Sequence, residues 1–462
     1  MKTRSVHRCG ECGAESPRWL GRCPECGVWG SLAEVSVSRA RGAASLAAPG
    51  AGTITPVPIT PVPITEVARN AAERLATGVG ELDRVLGGGL VPGSVTLLVG
   101  EPGMGKSTLL LQALGRLAAS GARCLLIGAE ESSEQVRMRA ERVGSLHPGL
   151  LLADTTSLDR VRAHIDDVGP AVLAIDSIQA ISDPELPGAP GSITQVRECA
   201  HALTRLAKER GIPTILVGHV TKEGTLAGPR ALEHVVDTVL SFDGDRHHTL
   251  RFLHALKHRF GATTELGLLE MQGDGLADVP DASALFLSDR RPDAPGSVVA
   301  PVVEGSRPLL VEVQALVAPT AAPMPRRSAT GLDSARLALL LAVLQQRAGV
   351  QVAEAEVYAS VAGGVRVSEP GVDLAVALAV AGAHHGHVVA PDTVVLGEIG
   401  LGGELRQVPQ AARRLAEAAR LGFTRAIGPL SLPTVAGIRV TPVATLADAL
   451  DVAYRSRAVR VA

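Results

Sequence analysis

The chain has 462 residues, 46% hydrophobic and 20% charged, an ordinary balance for a globular protein with room for two or three cored domains. Its 45 basic and 47 acidic groups leave no global field to hold a polyanion, and an aromatic content of 2% argues against a base-stacking platform, so any nucleic-acid contact must come from local charge and backbone. No apolar run approaches the roughly eighteen residues of a membrane span, and MKTRSVHRCGEC lacks the apolar stretch of a secretory signal, so a cytoplasmic protein with no membrane partner is expected.

Residues 1–35 carry four of the six cysteines and both tryptophans. Cys9, Cys12, Cys23 and Cys26 form C-x2-C-x10-C-x2-C, each pair in a C-x-E-C-G knuckle whose final glycine permits the turn that aims two sulfurs at one ion. In a reducing compartment this pattern points to structural Zn2+ held by four thiolates rather than to disulfides. Trp19 and Trp29 are expected to pack beside the knuckles. Residues 36–68 turn to Ala, Gly, Ser and Pro, with ITPVP twice in tandem, and read as a semi-rigid tether that buries too little apolar surface to fold.

From 69 to 280, apolar runs alternate with helical patterns: SVTLLVG, STLLLQALGRLAAS, RCLLIGA, SEQVRMRAERVG, AVLAID, a helix over 193–210, and PTILVGH. This alternation predicts an α/β domain built on a doubly wound parallel sheet. Cys124 and Cys199 fall inside these patterns and read as buried thiols.

Between the first strand and its helix lies GEPGMGKS, residues Gly100, Glu101, Pro102, Gly103, Met104, Gly105, Lys106 and Ser107, with Thr108 next, matching G-x-x-x-x-G-K-[ST] at every fixed position. Glycines let successive backbone N–H groups turn inward around an anion, and the helix N-terminus adds partial positive charge. Such a loop takes the phosphates of ATP, with Lys106 on the β and γ groups and Ser107 on Mg2+. Asp176, closing the apolar strand AVLAID, supplies the carboxylate that a metal site of this kind needs. Glu130 and Glu131, after RCLLIGA, are candidates for the base that orients water.

Residues 285–462 change character. GSVVAPVVEG and PLLVEVQALV read as strands, followed by a helix over 333–348, a Gly-rich loop and a helix over 373–383, which together predict an α+β domain.

The ordered set of a four-cysteine claw, a tether, GEPGMGKS, AEESSEQVRMRAERV, AIDSIQ, APGSITQVRE, GHVTKEGTLAGPRALEHVVDTVL and KHRFG closely resembles the bacterial RadA/Sms DNA-repair ATPases. The resemblance implies a RecA-like P-loop ATPase core behind a small zinc ribbon, assembled as a homo-hexameric ring. It further implies a ring acting on single-stranded and branched DNA in recombination, in partnership with a recombinase and other repair proteins. By position it implies that Glu130 is the catalytic glutamate and His219 the sensor of the γ phosphate. It also implies channel loops at 221–230, with Lys222 and Arg230, and at about 183–197, with Arg197, binding DNA through its phosphates.

The C-terminal part, with GEIGLGGELRQV and EPGVDLAVALAVAGA, resembles the S5-like protease domain of Lon, which raises an ATP-dependent peptidase as a second function. A Ser-Lys dyad needs a lysine, yet none follows Lys257, EPGVDL contains no serine, and arginine is too basic to replace lysine as a base. An inactive scaffold is the better reading. A regulatory or autokinase ring that ignores DNA is a third.

KHRFG departs from the family's K-N-R-F-G at His258. Strand alternation is expected to send Lys257 and Arg259 to one face, where both could cross a subunit boundary as fingers at a neighbour's γ phosphate, like the K-x-R of replicative ring helicases.

Overall fold

The structure, a computed structural model, describes residues 4–9, 15–16, 18, 21–22, 24, 28–29, 32–37, 63 and 65, and then 73–219, 231–244, 249–322 and 324–454. The chain divides into two compact units, residues 1–70 and 71–462.

In the first unit, β1 (Arg4–Cys9), β2 (Glu15–Ser16) and β3 (Leu32–Val37) form an antiparallel sheet in the order β2-β1-β3. Cys9 is the last residue of β1, in register with Leu32, whereas Cys12, Cys23, Cys26 and Trp19 lie outside the described residues. Trp29 does not pack as expected. It is 75% exposed, on an isolated bridge to Arg22.

The second unit begins with α1 (Gly80–Val85), β4 (Val95–Gly100), α2 (Lys106–Ala119), β5 (Cys124–Gly128) and α3 (Ser133–Arg142). Then come β6 (Leu150–Asp154), α4 (Leu158–Val168), β7 (Val172–Asp176), α5 (Ile193–Arg210) and β8 (Thr214–His219). β9 (Thr238–Gly244), β10 (Leu250–His258), β11 (Leu266–Gln272) and β12 (Gly275–Asp278) complete a nine-stranded sheet in the order β12-β11-β10-β9-β4-β8-β7-β5-β6.

β4 is buried along its whole length because both of its faces meet apolar layers: Leu98 joins the core beneath α2, while Leu97 and Val99 join the core beneath α4 and α5. The helix starts follow side-chain chemistry. Ser132 and Gln135 make a reciprocal capping box at α3, and Ser192 accepts from the Gln195 amide at α5. Cys124 and Cys199 are buried, and burial pushes each thiol up to about 11.

The sheet is parallel from β9 to β6, but β10, β11 and β12 extend it antiparallel, an arrangement the alternating pattern did not disclose. Short hairpins need no crossover helix, so their strands leave no βαβ signature to read.

The chain continues through α6 (Ala282–Leu287), β13 (Ser297–Glu304), β14 (Arg307–Pro319), β15 (Arg327–Thr330), α7 (Ser334–Ala348), β16 (Ala355–Val361) and α8 (Asp373–His385). β17 (Thr393–Val395), β18 (Glu398–Ile399), β19 (Leu405–Arg406), α9 (Ala411–Arg420), β20 (Arg425–Pro429), β21 (Arg439–Val443) and α10 (Leu446–Tyr454) follow. A second sheet, β15-β16-β14-β13-β17-β20-β21, carries α7 and α8 packed against one another.

The two sheets are not free of each other. Arg307, at the start of β14, reaches Glu81 of α1 at 2.6 Å and also donates to the carbonyls of Val279 and Pro280. Glu81 in turn accepts from the Leu268 amide of β11. Both side chains are at least nine-tenths buried, and the apolar core of the C-terminal sheet runs on to Leu250, Leu266 and Leu268.

Where a Lon-like nucleophile would sit, Glu369 instead forms a paired salt bridge with Arg414, whose side chain is 2% exposed, and Arg336 grips Asp373. Removing one partner of such a pair strands a buried charge. Glu369→Ala is accordingly expected to lower stability by about 3 to 5 kcal/mol in a denaturant titration, and a loss under ~1 kcal/mol would show that Arg414 finds another partner.

Among the described residues no helix is long and apolar enough to cross a membrane.

Candidate active site

Residues 100–107 turn from the end of β4 into the first turn of α2, as the motif requires. Two glycines are required here, Gly100 by backbone packing and Gly105 by its left-handed conformation. A Cβ at Gly100 would lie 2.2 Å from the Phe242 carbonyl oxygen, and one at Gly105, where φ is +104°, would lie 2.5 Å from the Met271 methyl. Met104 is buried between them, and its carbonyl accepts from Arg251 at 3.1 Å. β9 and the antiparallel strands β10 and β11 beside it therefore form the wall that shapes the loop.

Lys106 is 4% exposed, and its ammonium donates to the carbonyls of Gly100 and Glu101 at 2.9 Å each. Burial holds its pKa below the usual ammonium value, against the opposing pull of Asp176 and Glu130. Asp176, the last residue of β7, accepts a hydrogen bond from Ser107, while burial raises its carboxyl above the usual range. The motif serine and the strand-end aspartate thus meet, as an oxygen-donor pair suited to a hard cation.

Glu130 and Glu131, adjacent in sequence, part company in space. Glu130 turns toward β8, where His219 Nε2 lies 3.2 Å from one carboxylate oxygen and the Ser177 hydroxyl donates to the other. The hydrogen bond with His219 is the largest influence holding its pKa below normal. Glu131 is drawn off by Arg139 of α3 at 2.6 Å. A pocket lined by Ser107, Glu130, Glu131, Arg139 and Asp176 brings β5, β7 and α2 to one place. Gln179 sits behind, with its amide 3.4 Å from the His219 carbonyl.

Other expected residues lie elsewhere. Lys222 and Arg230 fall outside the described residues. Arg197 is not in a loop: it sits on the first turns of α5 and pairs with its exposed neighbour Glu198 at 3.1 Å. The stretch from Asp183 to Gly188 is held from within by Gln195, which bonds the backbone of Asp183, Leu186 and Gly188. The expected channel loop, running to Arg197, overlapped the helix expected from 193, and the Ser192 cap starts the helix where the helical pattern put it.

Lys257 and Arg259 sit at the opposite end of the sheet from the phosphate loop. Arg259 N–H donates to the Asp237 carbonyl at 3.2 Å, and the Asp237 carboxylate accepts from the amide of Val95, the first residue of β4. Gly100 closes the same strand five residues on, about 16 Å away at 3.3 Å per residue. The two cations do not point outward together, as alternation implied. A bulge between Ala255 and Lys257 breaks the alternation, and Lys257 donates to the carbonyls of Glu233 and Val236 at 2.6 and 2.8 Å. Arg259 is half exposed. His258 faces inward, 2.9 Å from the Thr238 hydroxyl and 3.2 Å from the Leu86 carbonyl, so its ring fills a polar niche between β9 and α1. Asp237, which lies within the run GHVTKEGTLAGPRALEHVVDTVL but was given no role there, is the residue that sequence reasoning missed. The available signal was a lone acid at the head of the apolar run in VVDTVL.

A P-loop between strand and helix, an acid closing a neighbouring parallel strand and a second acid beside it define a RecA-like nucleotide-binding fold of the AAA class. Residues 66–225 match the family described as AAA domain, and residues 7–34, which enclose all four knuckle cysteines, match the rubredoxin metal binding domain. Over 458 residues the chain is 45% identical to the DNA repair protein RadA of Halalkalibacterium halodurans, covering 98% of this chain and 99% of that protein. It is 44% identical to that of Bacillus subtilis over 457 residues, covering 97% and 98%. Against that of Mycolicibacterium smegmatis it is 46% identical over 448 residues, covering 95% and 94%. The chain belongs to the RadA family of DNA-repair ATPases.

Proposed function

We propose that the chain is a DNA-stimulated ATPase that works as a homo-hexameric ring on single-stranded and branched recombination DNA in the cytoplasm, alongside a recombinase. The observation that carries this reading is the separation of the site's two halves. Arg259 lies about 16 Å along the sheet from the loop that takes the phosphates, farther than an extended arginine side chain can reach, which supports a role at the γ phosphate of another copy of the chain.

Within one subunit, the backbone amides of residues 103–107 and the α2 N-terminus bind the phosphates of ATP. Lys106 leaves the carbonyls of Gly100 and Glu101 for the β and γ oxygens. Ser107 and Asp176 would hold Mg2+, which supplies charge neutralisation for the phosphates when bound. Glu130 orients the attacking water and accepts its proton, and His219, bonded to Glu130, senses whether the γ phosphate is present. His219 is followed directly by residues 220–230, so a change there passes to Lys222 and Arg230, which bind DNA phosphates without reading bases. Arg259 of one subunit stabilises charge at the next subunit's γ phosphate. Cys9, Cys12, Cys23 and Cys26 would hold Zn2+ as a structural ion. The C-terminal sheet is a scaffold, since a chain with no lysine beyond Lys257 has no base for a Ser-Lys peptidase.

The test is ATP hydrolysis with and without single-stranded DNA at low salt. Stimulation of about tenfold or more is expected, fading as salt rises through counterion release. Equal rates with and without DNA would overturn the DNA-motor reading and favour a regulatory ring.

A further inference from the structure

Asp237 is among the most buried charged groups in the protein, with its side chain 3% exposed at the head of β9. A carboxylate so enclosed costs free energy unless each oxygen is satisfied. Here both are. One oxygen accepts from the Val95 amide at 3.1 Å, and the other faces Arg259 at 3.2 Å and Lys208 at 3.5 Å. The Asp237 carbonyl also takes the Arg259 amide, so backbone and side chain of the arginine are fastened to one residue. Only one guanidinium nitrogen is used. The other edge of Arg259 has no partner among the described residues, and the side chain is half exposed. On the other side of the same turn, Lys257 clamps the carbonyls of Glu233 and Val236.

We infer that Asp237 is the positioning residue for Arg259: it holds one edge of the guanidinium so that the other is presented, pre-aimed, to the neighbouring subunit's phosphate. This rests on the proposed role of Arg259 between subunits. An arginine free to swing would lose rotamer entropy on each engagement, and a tether that removes the loss beforehand raises the rate without touching the nucleotide. A planar fork suits the task, since it can bond Asp237 and a phosphate oxygen at once; an ammonium on a flexible stem offers no second rigid edge. The same carboxylate fixes the first residue of the strand that ends in the phosphate loop, so finger and loop share one frame.

The experiment is a double-mutant cycle on DNA-stimulated ATP turnover in the full chain, using Asp237→Asn, Arg259→Ala and both together. Asparagine keeps an oxygen for the Val95 amide and removes the charge. Expected are a fall in kcat of about tenfold or more for Asp237→Asn, a nucleotide KM within about twofold of wild type, and a double variant no slower than Arg259→Ala alone. Additive losses, or an unchanged kcat, would overturn the inference. Arg259→Lys provides a second arm that leaves the buried acid in place: it is expected to be as slow as Arg259→Ala, and a rate within about threefold of wild type would show that charge alone suffices. If Arg259→Ala itself leaves turnover intact, the role of Arg259 between subunits fails, a different result from failure of the tether.

Discussion

Lys106→Ala is expected to abolish nucleotide binding at ordinary ATP concentrations and to lower turnover by at least ~10²- to 10³-fold, the scale of losing one preorganised charge donor. The reason lies in what remains. Lys106 is 4% exposed, and the ionisable groups nearest its ammonium are the acids Asp176 and Glu130. With the cation gone, a polyphosphate would enter a site whose nearest charges are negative, in surroundings where poor screening makes repulsion costly. The amine also ties the loop together through the carbonyls of Gly100 and Glu101, so its removal loosens the amides that form the anion cradle. Titration with a fluorescent nucleotide, phosphate release and a melting curve on one preparation check this. A folded variant that binds ATP with unchanged affinity would refute it.

Lys257→Ala is expected to do the reverse: to remove DNA-dependent turnover, by up to ~10³-fold on the scale known for trans-acting cations, while leaving nucleotide affinity nearly unchanged. Its ammonium braces the Glu233 and Val236 carbonyls and so shapes the turn that carries Asp237 and Arg259. Burial, followed by repulsion from Arg259, pulls its pKa down, so two cations are being held together there against their preference. Nothing in this cluster touches the phosphate loop. Loss of nucleotide binding would refute the role; loss of turnover with binding intact supports it.

Much of this was legible in the letters, and the exceptions share a cause. GEPGMGKS announces strand, loop and helix because phosphate binding constrains consecutive residues, and the family stood out because many such short runs occur in order. Asp237 was invisible because its partners, Val95, Lys208 and Arg259, are far apart in sequence, so no spacing betrays them. The resemblance preferred Glu130 to Glu131 by position alone; the letters did not show that Glu130 meets His219 while Glu131 meets Arg139. The paired orientation of Lys257 and Arg259 assumed a regular strand, and a bulge between Ala255 and Lys257 removed the regularity. Arg197 fell both in an expected channel loop ending there and in the expected helix over 193–210, and the Ser192 cap assigns it to the helix.

The contact between Arg307 and Glu81 has a mechanical consequence. Cutting the chain between Asp278 and Ser297 would take Arg307 from Glu81, leaving it only Arg84 at 3.5 Å and the Leu268 amide, and would uncover Leu250 and Leu266. Rotating one sheet against the other would do the same. The nucleotide core and the C-terminal sheet are therefore expected to resist hinging at this joint and to move as one body. Arg307 is the polar pin of a joint whose remaining hold is the apolar core shared by the two sheets.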